Sequence, residues 1–498
     1  MKKQTVLKLF IVYIFITACP NIIADQQDRV DMTEAMKQSL IYLKTYFYGY
    51  EQHQPWKHRD LSESWACACA VGQYQVITTA WNVANIASIK ARRFAQNEFI
   101  SAKIKIVDYE RNLCLIDLDP NEMAEPLKPL KFSEDYQKGD EVGFYWLSSE
   151  GDLYNGRGYL DRARVEKTSI SYEKQLDYVV ANTSQRTGTG QLYCVGSEPI
   201  GIACWSNKEK EAGLIPAELI NAFLAEAAKD KYKGFGAVGF QTSELLDPTM
   251  RSYLKMPSPL KTGVYVTDVY TLGTASDIMK KADVLLAIDG VTIDSQGQFV
   301  HPKYGRLAFP HLITSKAVGE TIAFDLWREG RQIQLQSQVK NFKASDMLVP
   351  YHEFDRQPEY VITGGFLLQK LTLPYMTEWG EDWQGKVSAH LFHYYRDMAF
   401  KPADQRRDIV ILSYVLPANI NLGYNTLRQI VVSKFNGMTI RSIEDVLTAQ
   451  KLNPDSGFDV IEFEFDNPLV VIDRRQLPAA DALIGANYGI TRLVNINK

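Results

Sequence analysis

Histidine is scarce in this chain of 498 residues and badly placed for catalysis: the seven are His53, His58, His301, His311, His352, His390 and His393, so nothing from Arg59 to Val300 carries an imidazole. A hydroxyl or thiol in that long stretch has no neighbouring base that titrates near neutrality. Cysteine is also sparse, six in all, and once Cys19 is set aside the remaining Cys67, Cys69, Cys114, Cys194 and Cys204 form an odd set that allows at most two pairs. No CxxC or HExxH is present, so no metal site is expected, and no cofactor motif suggests one. Beyond the first residues no apolar run approaches the roughly 20 residues of a membrane span. Charge of one sign is missing too: Lys+Arg 55 against Asp+Glu 59 gives a net charge of -4 without a basic stripe, which argues against a nucleic-acid partner.

What is present is a foldable chain, 46% hydrophobic and 23% charged, long enough for about three domains. Lys2 and Lys3 precede a short apolar run at 9–18, which reads as a signal peptide over 1–24 and predicts export. Ile16, Thr17, Ala18 and Cys19 also match a lipobox, in which Cys19 becomes the lipidated first residue; ordinary cleavage near Ala24 is the alternative. The expected location is the periplasm or the outer membrane, with secretion as a third outcome and a lipid anchor as the only membrane attachment. From 39 to 224, short alternating or apolar runs such as WACACAVG, YQVITTAW, NLCLIDL, EVGFYWL and PIGIACW, punctuated by Gly, Asn and Asp, predict a β-sandwich or barrel. Residues 216–228 switch to helical spacing, with Ile220, Phe223, Leu224 and Ala227 on one face. A second unit at 234–339 carries an Asp289-Gly290 hairpin signal, and 410–440 repeats its order with Asn436-Gly437 in the same place, so two copies of one module are expected. The charged, aromatic segment 382–407 reads as an inserted helix.

The order of blocks carries a resemblance. TTAWNV stands where an exported trypsin-like chain has TNAHxV; ERNLCLI follows where a strand would bear an aspartate; RTGTGQL replaces GNSGGPA; then come EPIGIACW, GLIP, GFGAVGF, ADVLLAIDGV, YGRLAF, TGGFLLQKLTLPY, INLGY and FNGMTI. In this order the chain resembles the Deg/HtrA family, whose trypsin-like domain is followed by a PDZ domain and a divergent second PDZ-like domain. The resemblance implies a mainly β fold: a trypsin-like double β-barrel at 25–230 and two PDZ-like α+β domains at 231–343 and 344–498. Family members assemble through the protease domain, which implies a trimer-based homo-oligomer or a mixed oligomer with an active relative. The aromatic start, Tyr42, Tyr46, Phe47, Tyr48 and Tyr50, is expected to supply such contacts.

Carried over position by position, the catalytic histidine becomes Trp81, the aspartate Asn112 and the nucleophile Gly188. Indole takes no proton, an amide cannot stabilise an imidazolium by charge, and glycine has no side chain. A register slip of one would bring in Thr187 or Thr189, still without a base. Arg186 and Gln191 replace the residues flanking the serine, which puts the oxyanion-hole amides in doubt. No catalytic residue is therefore assigned. Other chemistry is weaker still. Ser184, Thr187, Thr189 and Cys194 crowd the former nucleophile loop, Asp117 and Asp119 share a strand with Asn112, and Asp119 before Pro120 reads as turn chemistry. Cys67 and Cys69 read as small buried residues, a Cys194–Cys204 bridge stays open, and His390 and His393 read as residues of a surface helix rather than ligands of a metal.

Positive function comes from the PDZ resemblance. The loop Ala237, Val238, Gly239 and Phe240 would present backbone N–H groups to a peptide carboxylate, with a strand edge beside it for an extended ligand. The alternative is a module that docks on its own partner domain. In the second module Tyr414, Leu416 and Phe435 read as structural, without a recognisable carboxylate loop. The expected activity is binding of protein C-termini or unfolded polypeptides by a pseudoprotease, chaperone-like or regulatory; the alternative is a Do-like serine endopeptidase.

Overall fold

The computed structural model describes residues 33–57, 60–183, 188–403, 405–452, 455–465 and 468–496. The signal peptide, Cys19, His58, Ser184, Arg186 and Thr187 lie outside the described residues. Strands β1–β6 (Leu40–Phe47, Ser62–Gly72, Gln75–Thr78, Ile86–Arg93, Ile100–Asp108, Leu113–Leu118) close one barrel in the order β1-β2-β3-β6-β5-β4. Strands β7–β12 (Glu141–Leu147, Leu153–Lys167, Lys174–Asn182, Leu192–Val195, Glu198–Ser206, Glu211–Pro216) close a second in the order β10-β11-β12-β9-β8-β7. The fold is mainly β, with the trypsin-like pair of barrels first.

The two-residue period of a strand explains how the barrels join. Along β2, Ala66, Ala68 and Ala70 fill the first barrel with Ile41, Leu43 and Val76. Their neighbours Cys67 and Cys69 face the other way, into a core shared with Cys194, Val142 and Leu192 of the second barrel. Small residues on both faces let the barrels approach closely. At the seam stands Gly190, with φ +83; a Cβ there would lie 2.3 Å from the Cys67 carbonyl oxygen. All five described cysteines are free thiols. Cys194 sits opposite Pro199 at the hairpin end while Cys204 lies farther along β11, so the bridge left open from the sequence is not formed.

The aromatic start opens with a strand of the first barrel. It is β1, paired with β2 on one side and β4 on the other, and Tyr42 is 5% exposed in the core between the barrels. Tyr46, Phe47 and Tyr50 are half-buried, and Tyr48, beyond the strand end, is exposed. The helix Ala217–Ala227 closes the double barrel by burying Ile220 and Phe223, as the spacing predicts.

The two downstream sheets match strand for strand. Strands β13–β20 (Phe240–Ser243, Val264–Val269, Val284–Ile288, Val291–Thr292, Gln298–His301, Gly305–Ala308, Thr321–Arg328, Arg331–Gln338) give a sheet β13-β14-β15-β19-β20 with β16 on β15, and β17 pairs with β18. Strands β21–β28 (Tyr360–Thr363, Phe366–Lys370, Val410–Val415, Ile430–Phe435, Met438–Thr439, Phe458–Phe463, Val470–Asp473, Val494–Asn495) repeat it as β22-β23-β24-β26-β27, with β25 on β24. Asp289-Gly290 and Asn436-Gly437 make the two equivalent turns, all four residues at positive φ. The two units differ in the β17–β18 pair, which has no counterpart among the described strands of the second unit, and at one edge: β13 ends its sheet, whereas β22 is covered by β21, which in turn pairs with β28. The segment 382–407 contains a short inserted helix, the α-helix Ala389–His393 running on into the π-helical turn Tyr394–Met398, with Leu391 packed in one cluster with Tyr375. Its many aromatic and charged residues lack the continuous apolar stripe that would extend this helix over the whole segment.

Candidate functional site

The barrel cleft is built from two loops that meet across the seam. After β3 the chain makes a short turn, Ala80–Val83, which leaves Trp81 51% exposed. The β5–β6 turn brings Asn112 alongside: its side-chain oxygen accepts the Trp81 backbone N–H at 3.0 Å. Asn112 holds a left-handed backbone, φ 54, a conformation asparagine tolerates better than most residues. Sequence reasoning gave no role to Asn82, yet it is the residue that crosses the cleft. Thr189 donates its hydroxyl to Asn82 Oδ1 at 2.7 Å, Asn82 Nδ2 donates to Thr78 Oγ1 at 3.2 Å, and Thr78 donates to the Cys67 carbonyl at 2.7 Å. Gly188 lies one residue before this contact, so the structure brings together the places of Trp81, Asn112 and Gly188. The chemistry there is amide and hydroxyl. An amide oxygen is an acceptor without useful basicity, so Thr189 is held, not activated.

The other candidates are accounted for locally. Burial pushes the Cys67 thiol up to about 12 and the Cys194 thiol also upward, so neither supplies thiolate near neutrality. Asp117 accepts from Gln75 Nε2 at 2.8 Å, and Asp119 caps the turn Pro120–Glu122 through the Asn121 N–H. The described histidines sit elsewhere: His53 against Trp379, His301 on Tyr304, His311 beside Phe299, His352 on Phe354, His390 with Glu464 at 2.9 Å and His393 with Asp397 at 2.7 Å. His390 and His393 thus reach separate carboxylates. Among the described residues no group of three or more His, Cys, Asp or Glu could hold a metal ion.

The second site is the loop before β13. Gly239 has φ +87, and a Cβ there would meet the Leu272 carbonyl at 2.9 Å, so glycine is required where two backbones touch. Ala237 N–H is tied to the Lys340 carbonyl at 2.9 Å. Beside the loop a groove of about 450 Å³ runs between the edge strand β13 and the helix Pro310–Thr314, lined by Val238, Phe240, Gln241, Ser243 and Phe309. One loop amide already has a carboxylate: Val238 N–H donates to Glu173 Oε1 at 3.0 Å. Glu173 comes from the tip of the β8–β9 hairpin, residues 168–173. Glu110 of the β5–β6 turn steadies that tip by accepting from Ser171 Oγ at 2.7 Å and Tyr172 N–H at 3.1 Å. Burial raises the Glu173 carboxyl to about 7, opposed by the Val238 N–H and by Lys167. Nothing in the local sequence around Glu173 or Glu110 announces this contact, because it joins residues 65 positions apart.

A double barrel with a cleft between its halves, followed by two sheets of matching topology, agrees with the sequence relationships. The PDZ_3 family profile, a PDZ domain, matches residues 349–494. The chain is 26% identical over 448 residues to Protease Do-like 2, chloroplastic, of Arabidopsis thaliana, covering 88% of this chain and 71% of that protein. It is 23% identical over 395 residues to Protease Do-like 4, mitochondrial, of the same plant, covering 78% and 72%. In sequence and in the order of its units the chain is similar to the Do-like, or Deg/HtrA, proteases. A solved HtrA-type protease, AlgW with a decapeptide, aligns with 63% of this chain and 99% of its own at 16% identity and a TM-score of 0.47.

The two downstream units differ in what their edges offer. In the first, β14 is the one partner of β13 among the described strands. In the second, the corresponding edge of β22 takes β21 as its ladder partner, from Tyr360 opposite Gln369 to Thr363 opposite Phe366. Phe435 and Leu416 are buried there as expected, but Tyr414 is 46% exposed and lines a cavity of about 560 Å³ with His53, Trp56, Trp379 and Arg428.

Proposed function

We propose that this chain is an exported Deg/HtrA-like pseudoprotease that acts by binding polypeptide, as a chaperone-like holder or regulatory scaffold. The observation that carries the reading is the Thr189–Asn82 bond: the hydroxyl nearest the position of the family nucleophile meets a neutral amide, with Trp81 and Asn112 at the positions of base and aspartate. Loss of the base or the nucleophile alone lowers turnover about a millionfold in such enzymes, roughly 8 kcal/mol of transition-state stabilisation. No retained binding surface restores that. Peptide binding is supported by the free β13 edge and the groove beside it, which suit an extended C-terminus or an unfolded segment added as a further strand.

The basic and apolar start, with Cys19 in a lipobox-like context, supports a periplasmic or lipid-anchored outer-membrane location. The family relationship supports a trimer-based homo-oligomer or mixing with an active relative. Purified mature protein incubated with casein and with unfolded outer-membrane polypeptides tests the central reading. Suppressed aggregation without new peptide products is the expected result. Turnover that disappears in Thr189→Ala would establish a serine-protease-like enzyme instead.

A further inference from the structure

The loop that a peptide carboxylate would occupy in the first PDZ unit already holds a carboxylate of the same chain. Three observations bear on it. The acceptor on Val238 N–H is Glu173 Oε1, at 3.0 Å, a distance ordinary for an N–H···O hydrogen bond. The hairpin tip that delivers Glu173 is tied at both ends of its last three residues: Ser171 and Tyr172 bond to Glu110, and the Tyr172 hydroxyl donates to the Phe342 carbonyl at 2.7 Å while its ring stacks on Phe342 at 4.6 Å. Glu173 also lines the same groove as Val238, Phe240 and Phe309, so its carboxylate and a ligand terminus would compete for one place.

We propose that Glu173 is an internal ligand of the first PDZ loop, standing in for a C-terminal carboxylate, so that a polypeptide with a free C-terminus enters this groove by displacing it. The proposal rests on the peptide-binding reading and adds what that reading leaves open: which part of the groove is closed at rest, and to which chemistry. The strand edge of β13 stays open, since Glu173 occupies the loop and not the ladder. A ligand without a free terminus, an internal extended segment, meets no competition. A ligand that ends in the groove loses the carboxylate–amide contact unless Glu173 leaves.

The test uses the full mature chain and two fluorescent decapeptides of one apolar-ended sequence, one with a free C-terminal acid and one with a C-terminal amide. Binding is measured by anisotropy for wild type, Glu173→Ala and Glu173→Gln. Expected are similar affinities of wild type for both probes, and at least tenfold tighter binding of the acid by Glu173→Ala with the amide changed less than threefold. Glu173→Gln, which keeps an acceptor without the cost of burying a charge, stays close to wild type. Hydrogen exchange of the 236–240 segment gives a readout free of any probe: the Val238 amide exchanges faster in Glu173→Ala than in wild type. Equal acid affinity in wild type and Glu173→Ala, with both binding, overturns the proposal, as does unchanged exchange at Val238. Absence of binding by every protein to both probes overturns the peptide-binding reading and this proposal with it, whereas unchanged exchange alone leaves that reading standing.

Discussion

Thr189 donates its hydroxyl to the side-chain oxygen of Asn82 across the seam between the barrels, at 2.7 Å. The bond belongs to a relay that ends on the Cys67 carbonyl, so it is a stitch between the two halves of the cleft. Replacing Thr189 by alanine leaves the Asn82 oxygen without this donor and removes one neutral hydrogen bond, worth about 1 kcal/mol. The expected outcome is a urea midpoint lowered accordingly, with peptide hydrolysis at the buffer background in both proteins. A variant that matches wild type in stability but differs in hydrolysis contradicts the structural role.

Gly190 is the next residue, and its substitution has a far larger expected effect. A methyl group at Gly190 would stand 2.3 Å from the Cys67 carbonyl oxygen and 3.0 Å from Asn82 Nδ2, on a backbone with φ +83. The nearest obstacle is backbone within a barrel strand, which cannot yield as a side-chain tip does. Steric overlap together with a left-handed alanine predicts a loss of about 3 kcal/mol or more. Gly190→Ala is expected in the insoluble fraction or with a strongly lowered melting temperature, read by differential scanning fluorimetry.

The parts of the molecule legible in the sequence are those written in local patterns. The alternation of WACACAVG foretold a strand, and the structure adds that its alanines and cysteines face two different cores. The turn residues Asp289-Gly290 and Asn436-Gly437 marked both copies of the repeated module. What stayed illegible was anything made by juxtaposition. Tyr42 looked like an adhesive aromatic because β1 gains its neighbours only when β2 and β4 close around it. Glu173 is not singled out by the sequence because its partner is an N–H, and any residue except proline offers one. No spacing tells that β21 covers the edge of β22.

Arg111 shows how the β5–β6 turn couples the barrels to the first PDZ unit. It is 3% exposed, donates from Nη1 to Gln175 Oε1 at 3.2 Å and from Nη2 to the Thr314 carbonyl, and holds its guanidinium 3.8 Å from the Phe235 ring centroid. Burial lowers its pKa to about 10, still charged at neutrality. Arg111→Met keeps bulk but leaves a buried carbonyl and amide oxygen unpaired, predicting a loss of about 2–3 kcal/mol. Lysine cannot reproduce the fork, so Arg111→Lys is expected to restore less than half of it. Early release of the first PDZ unit in thermal unfolding, seen as proteolysis near Lys233 at temperatures where wild type resists, is the measurement.

The Glu173–Val238 contact should respond to pH in a direction opposite to that of a surface ion pair. Burial raises the docked Glu173 carboxyl to about 7, above the ordinary 4.5 of an undocked side chain, so docking takes up a proton between those limits. The closed arrangement is therefore favoured as pH falls: between pH 8 and pH 6 its population relative to the open one rises about tenfold, and it reaches its full value below about 4.5. Around it stand Lys167 on β8, Glu110 on the β5–β6 turn, and the Tyr172 and Tyr270 hydroxyls; burial raises Glu110 in the same sense, while Lys167 opposes the shift of Glu173. Affinity for a peptide with a free C-terminus is expected to weaken about tenfold from pH 8 to pH 6, over a range where the peptide carboxylate itself stays ionised. Glu173→Gln removes one titrating group and leaves Glu110, so any slope that persists in that variant belongs to Glu110. A wild-type affinity that strengthens on acidification would mean that the docked carboxyl is held charged by Lys167 and Val238, and that burial does not set its proton affinity.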